Sequence, residues 1–170
     1  MGDERYVECI SPFLYKGGIR KAILNLKFHN VRSNLEFFAS SIAEKLLEKF
    51  DINYIDYICF VPMSERSFVD RGYNQSELLA VALSDILKIP VRNVLIKEHE
   101  TYTQHELGAE ERSRNLLGAF STNDGSSISN KNFILCDDII TTGSTLKECV
   151  KTLKHYGARK IICCTIASAR

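Results

Sequence analysis

Phe133-Ile134-Leu135-Cys136-Asp137-Asp138-Ile139-Ile140-Thr141-Thr142-Gly143-Ser144-Thr145 is the stretch on which the reading of this chain turns. An apolar run of strand length ends in two adjacent carboxylates, then a hydroxyl-rich turn with one glycine, then an amphipathic helix. At the carboxyl end of a parallel strand, a Thr-Thr-Gly-Ser-Thr turn aims backbone N–H groups and hydroxyls at a single anion, and the helix behind it adds the positive end of its dipole. The two aspartates just upstream suit sugar hydroxyls or a hydrated magnesium ion. The competing explanation is an acidic and hydroxylic cap on an ordinary helix. Capping needs one such residue, whereas here they follow one another after a strand.

Downstream, Leu146, Cys149, Val150 and Leu153 share one helix face, Gly157 ends that helix, and residues 161–167 read as the next strand. Strand, turn, helix and strand in that order predict a right-handed βαβ unit.

Upstream, residues 5–16 read as a short edge segment broken by Pro12 and closed by Gly17-Gly18. Ile19, Ala22, Ile23 and Leu26 predict a helix, with Lys27 and His29 as its solvated end. Leu35, Phe38, Ala39, Ile42, Leu46 and Phe50 make the stripe of a second helix behind a Ser33-Asn34 cap. Residues 57–61 read as a buried parallel strand ending at Pro62. Residues 62–75 are expected to form a loop at the carboxyl end of that strand, the edge at which α/β sheets bind ligands. Arg66 and Arg71 in it match the bidentate demands of a pyrophosphate, although exposed loop arginines are common.

Leu78, Leu79, Ala82, Ile86 and Leu87 mark a third helix, ended before Pro90, and residues 91–96 are strand-like. Residues 97–113 are polar and without period, as in a lid. His99 and His105 lack a third ligand at metal spacing and read as solvated. A short strand is expected at 118–120, and residues 121–131 read as a polar turn run without core residues.

Asp137-Asp138-Ile139-Ile140-Thr141-Thr142-Gly143-Ser144-Thr145 after an apolar strand resembles the PRPP-binding motif of type I phosphoribosyltransferases. Arg71-Gly72-Tyr73-Asn74-Gln75 is similar to the signature of the ComF (competence protein F-like) branch of that superfamily. Leu26-Lys27-Phe28, Phe60-Val61-Pro62, Thr103-Gln104 and residues 112–120 agree in the expected order, so the resemblance covers nearly the whole chain. The sequence departs from many ComF-like proteins in showing no cysteine-rich zinc ribbon at its start.

The resemblance implies specific roles. Asp137 and Asp138 hold ribose hydroxyls and act on Mg2+ indirectly, and Thr141, Thr142, Gly143, Ser144 and Thr145 take the 5′-phosphate. Arg66, Arg71 and Arg112 meet the pyrophosphate, with Arg112 and Arg114 at the base of the lid. It implies transfer of a phosphoribosyl group from PRPP to an acceptor that is not readable here, with a link to natural competence. Where 6-oxopurine enzymes place a third aspartate this chain has Thr141, which disfavours that acceptor class. The rival from another class is a non-catalytic nucleotide-sensing or partner-binding module of the same fold, with single-stranded DNA or competence proteins as partners and a homodimer among the expected states. A phospho-acceptor receiver domain also uses an acidic pair, but there the pair follows the first strand.

At 170 residues, 45% hydrophobic and 25% charged, the chain suits one globular domain with a full core. A formal net charge of +1 argues against strong generic attraction to nucleic acid. No apolar run has the length of a membrane span and residues 1–20 lack a signal-peptide layout, so a cytoplasmic location is expected. The six cysteines contain no C-x-x-C pair and read as small buried hydrophobes, with no structural zinc expected. The fold class expected is α/β, a parallel sheet of about five strands with helices on both faces and a small hood, with residues 1–34 and 97–120 as hood and lid segments.

Overall fold

Strand β6 (Asn132–Ile140) and strand β7 (Lys160–Ser168) run side by side and parallel through the middle of the sheet. The computed structural model describes residues 8–98, 118–122 and 124–169. β3 (Tyr57–Phe60) pairs parallel with the outer side of β6. β1 (Cys9–Ile10) and β2 (Phe13–Leu14) pair parallel with the outer side of β7. Pro12 separates these two short strands, because a proline has no N–H to donate to the ladder. The result is a five-stranded parallel sheet, as the apolar runs predict.

Side chains alternate across β6, and the two faces are covered separately. Ile134 and Cys136 join Ile58, Ile162 and Cys164 under α1 (Gly17–His29), α2 (Leu35–Lys49) and α4 (Gln75–Leu87). Phe133 and Leu135 join Cys59 and Cys163 under α5 (Ser144–His155). Phe38, Ile42, Leu46, Leu79, Leu83 and Ile134 are among the fully buried side chains, each contributing roughly 1.5–3 kcal/mol of transfer free energy. α5 closes with the two backbone bonds of a Schellman motif, Gly157 N–H to Lys154 O at 3.0 Å and Ala158 N–H to Leu153 O at 3.0 Å. Gly157, at φ 88°, takes the left-handed position there.

The cysteines behave as apolar side chains. Five are buried, Cys9 is half-buried, and the Cys136 and Cys164 thiols touch at 3.4 Å across β6 and β7. Burial pushes the Cys9 thiol up to about 11, which keeps it protonated and unreactive.

Five expectations change. The strand does not stop at the carboxylates but continues to Ile140, because β7 supplies a ladder partner as far as Ser168. Residues 62–75 are not all loop. Glu65–Arg71 forms helix α3, capped by Ser64, whose Oγ accepts from Ser67 N–H at 3.3 Å, and stopped by Gly72 at φ 76°. α4 buries Leu79, Ala80 and Leu83, with Ile86 exposed. Ile128 is 0% exposed, so the polar run at 121–131 carries a core residue just after its short 3-10 turn.

Residues 91–96 are not one strand either. Val91 bridges Ile58, Val94 and Leu95 are buried, and Ile96–Lys97 forms β4, antiparallel to β5 (Phe120–Ser121). That ladder holds the two ends of the expected lid side by side, while residues 99–117 lie outside the described residues. Among the described residues no helix is long and apolar enough to cross a membrane.

Candidate functional site

β3 and β6 are parallel, so the chain leaving Phe60 and the turn after Ile140 emerge at one edge of the sheet. Val61 N–H donates to Cys136 O at 2.9 Å, and the Asn74 side chain donates to Val61 O at 3.0 Å, which ties the start of α4 to the same edge. The acidic pair sits there within β6, on alternate sides of the strand.

Asp137 lies on the α5 side and lines a notch of about 30 Å³ with the turn at 141–145. Its Oδ1 accepts from Ser76 Oγ at 2.9 Å and from Asp138 N–H at 2.9 Å. Burial pushes the Asp137 carboxyl up to about 7, with the neighbouring Asp138 charge adding to the shift and the Asp138 N–H and Ser76 hydrogen bonds opposing it. Asp138 faces α1 and α4. Its Oδ1 accepts from Ile139 N–H at 2.8 Å, and its Oδ2 accepts from Gln75 Nε2 at 3.2 Å. Lys27 Nζ stands 3.5 Å from the same Oδ2.

Three of these partners change the sequence reading. Lys27, taken as a solvated helix end, is only partly exposed and reaches the acidic pair. Gln75 belongs to the Arg71–Gln75 string but stands as the first residue of α4, and Ser76 carried no signal in the sequence. Leu26-Lys27-Phe28, one of the pieces that agree with the family resemblance, is a feature of the sequence that includes Lys27.

The turn at 141–145 sets hydroxyls and backbone N–H groups together at a helix start. Gly143, at φ 79°, caps α5 without a side chain, and Thr142 Oγ1 lies 2.9 Å from Ser144 Oγ while accepting from Ser144 N–H at 3.3 Å. A threonine oxygen thus occupies a helix-start donor of the kind an anion takes.

Arg71 ends α3 with its guanidinium 5.1 Å from the Phe28 ring. Tyr73 Oη donates to Leu26 O at 2.6 Å and accepts from Asn30 N–H at 3.0 Å, which fastens α1 to the turn after α3. Phe28, His29, Asn30, Asp70, Arg71 and Tyr73 line a cleft of about 570 Å³ beside the acidic pair's lysine. Arg66 is exposed on the first turn of α3. Five positions from Arg71, it stands about 140° round the helix axis. Arg112 and Arg114 lie outside the described residues.

Magnesium was expected through the pair. All donors here are oxygens, which suits a hard cation. Three of the four carboxylate oxygens already accept hydrogen bonds, and among the described residues no three acidic, histidine or cysteine side chains converge on one point. The site therefore fits Mg2+ held through ligand oxygens and water, not in a protein cage.

The parallel α/β sheet, with an acidic pair on its central strand and a hydroxyl-rich turn opening the next helix, is a phosphoribosyltransferase-like fold. The chain belongs to the family described as Phosphoribosyl transferase domain, whose profile matches residues 73–170, more than half of its length. Within that family it is similar to proteins named for competence and DNA utilization. It is 44% identical over 97 residues to Competence protein F of Haemophilus influenzae, which covers 54% of this chain and 41% of that protein. It is 36% identical over 107 residues to DNA utilization protein YhgH of Escherichia coli, covering 62% of this chain and 46% of that protein. The chain thus spans less than half the length of the curated relatives it matches. Among solved structures, glutamine PRPP amidotransferase of B. subtilis superposes with a TM-score of 0.49 at 20% identity, covering 79% of this chain and 26% of that one.

Proposed function

We propose that the protein binds PRPP with Mg2+ and transfers its phosphoribosyl group to a nitrogen nucleophile, releasing pyrophosphate. The observation that carries this reading is the juxtaposition of the buried Asp137–Asp138 pair with the 141–145 cradle at one sheet edge. Spaced along one strand end, they match a ribose 5-phosphate: carboxylates for the sugar hydroxyls, N–H groups and hydroxyls for the phosphate.

Displacement at ribose C1 passes through a positively charged, oxocarbenium-like state. Asp137 and Asp138 would orient the ribose and place negative charge beside it. Thr141, Thr142, Gly143, Ser144 and Thr145 would anchor the far end, so that C1 meets the nucleophile in one geometry. Arg71, lining the cleft beside the site, would neutralise charge on the departing pyrophosphate, with Arg66 and Arg112 as further candidates. Mg2+ would supply charge neutralisation on the pyrophosphate oxygens.

Calorimetric titration with PRPP, with and without Mg2+, tests the reading. Saturable binding that Mg2+ strengthens is expected, and no heat at millimolar PRPP sinks it. The names of the relatives favour a second reading, in which the same site senses a nucleotide or docks a partner such as single-stranded DNA or a DNA-uptake protein. PRPP binding without pyrophosphate release, across a panel of nucleobases and amines, selects that second reading.

A further inference from the structure

Two adjacent side-chain amides open α4, and they are satisfied differently. Asn74 uses both ends: Nδ2 donates to Val61 O at 3.0 Å, and Oδ1 accepts from Ser76 N–H at 2.9 Å. Gln75 uses one. It is 8% exposed, its Nε2 donates to Asp138 Oδ2 at 3.2 Å, and its Oε1 is buried with no hydrogen-bond partner among the described residues. A carboxylate oxygen only accepts, so the donor end of the amide must face it and the carbonyl end is the one left over. The oxygen and nitrogen of a side-chain amide are about 2.3 Å apart, which places Oε1 within about 5.5 Å of Asp138 Oδ2. The other such orphan among the described residues, Tyr54 Oη, belongs to the turn before β3 at the opposite end of the strands.

A buried acceptor is costly to leave unmade, and it is tolerated where a ligand completes it. We propose that Gln75 is a ligand-contacting residue: its Oε1 accepts from an O–H group brought by the bound phosphoribosyl ligand, either a sugar hydroxyl or a water held with Mg2+, while its Nε2 keeps Asp138 turned toward the same sugar. This rests on the PRPP reading above and deepens it. Where the donor is a sugar hydroxyl, a ligand without it leaves Oε1 buried and unpaired, so Gln75 then selects for hydroxylated sugars over deoxygenated ones.

The test compares wild type with Gln75→Met, which keeps the length of the side chain and removes both polar ends. PRPP is titrated calorimetrically with and without Mg2+, and the thermal midpoint of each free protein is recorded. The expected result is about tenfold weaker PRPP binding, equivalent to ~1.4 kcal/mol, with the free protein's midpoint little changed, because the lost Nε2 bond to Asp138, which keeps Lys27 beside it, is offset by removal of the unpaired buried acceptor Oε1. A loss of equal size in both arms assigns the donor to a sugar hydroxyl, and a loss confined to the Mg2+ arm assigns it to bound water. Equal binding by wild type and variant overturns the assignment, as does weaker binding accompanied by a clear fall in the midpoint, which marks a purely structural role. If wild type takes no PRPP in either arm, the PRPP reading itself fails and this assignment with it. In wild type alone, the side-chain NH2 resonances of Gln75 should shift on PRPP addition, and resonances that stay fixed contradict the contact.

Discussion

Lys27 Nζ stands 3.5 Å from Oδ2 of Asp138, so the end of α1 supplies the cation that faces the acidic pair from the side of the sheet opposite the anion cradle. A basic side chain there offsets two carboxylates that would otherwise repel an anionic ligand. Lys27→Met should weaken PRPP binding by about 1 kcal/mol, roughly fivefold, because the pair is partly exposed and solvent screens it. Titration at low and high salt checks the origin of the effect. The difference between wild type and variant should shrink as salt rises.

Asp137 makes stability depend on pH in an unusual sense. Burial raises its carboxyl to about 7, above the ordinary value near 4 that it regains on unfolding. Between those values the folded state holds the proton and the unfolded state does not, so stability falls as pH rises through that window. Asp137→Asn removes the titration, and its unfolding free energy, from urea denaturation, should vary less between pH 4.5 and pH 8 than that of wild type, by roughly 1 kcal/mol or more. A wild-type midpoint that rises steadily over that range contradicts the assignment.

The cradle depends on one glycine. A Cβ at Gly143 would meet only the Ile140 side chain, Cδ1 at 3.5 Å and Cγ1 at 3.8 Å, ordinary contacts, so the cost of a side chain is conformational and comes from φ 79°. Gly143→Ala should cost roughly 1–2 kcal/mol of stability, and Gly143→Asn less, since asparagine tolerates the left-handed region. Denaturant unfolding of the two variants decides it, with equal costs pointing to a steric cause.

The βαβ unit was legible in the sequence because each element carries its own local signal: Phe133, Ile134 and Leu135 for the strand, Gly143 for the turn, Leu146, Cys149 and Leu153 for the helix. The partners of the acidic pair were not, because Gln75 and Ser76 meet it across gaps of 63 and 61 residues and no local period records such a contact. Lys27 lies in the last turn of an amphipathic helix, where a lysine ordinarily marks the outside. Helix α3 escaped notice because seven residues show too few turns for a periodic signal, although Ser64 and Gly72 supply both caps.

Ile128 was hidden by its neighbours, since one apolar residue among Ser, Asn, Gly and Lys reads as turn. It is nonetheless fully buried against the α5 side of the sheet. Ile128→Ala should therefore destabilise the protein by about 2–4 kcal/mol, as a core truncation does and a loop substitution does not. Chemical denaturation measures it, and a loss under about 0.5 kcal/mol, typical of a surface site, contradicts the packing described.

The central claim is that the acidic pair and the 141–145 turn together form one phosphoribosyl site. The most direct measurement is a crystal structure of the wild-type protein with PRPP and Mg2+. The account predicts the 5′-phosphate within hydrogen-bond distance of backbone N–H groups between Thr142 and Thr145, the ribose hydroxyls on Asp137 and Asp138, and an O–H donor within reach of Gln75 Oε1. A phosphate bound elsewhere, such as the cleft lined by Phe28 and Arg71, with the acidic pair still closed on Lys27, Gln75 and Ser76, would contradict it.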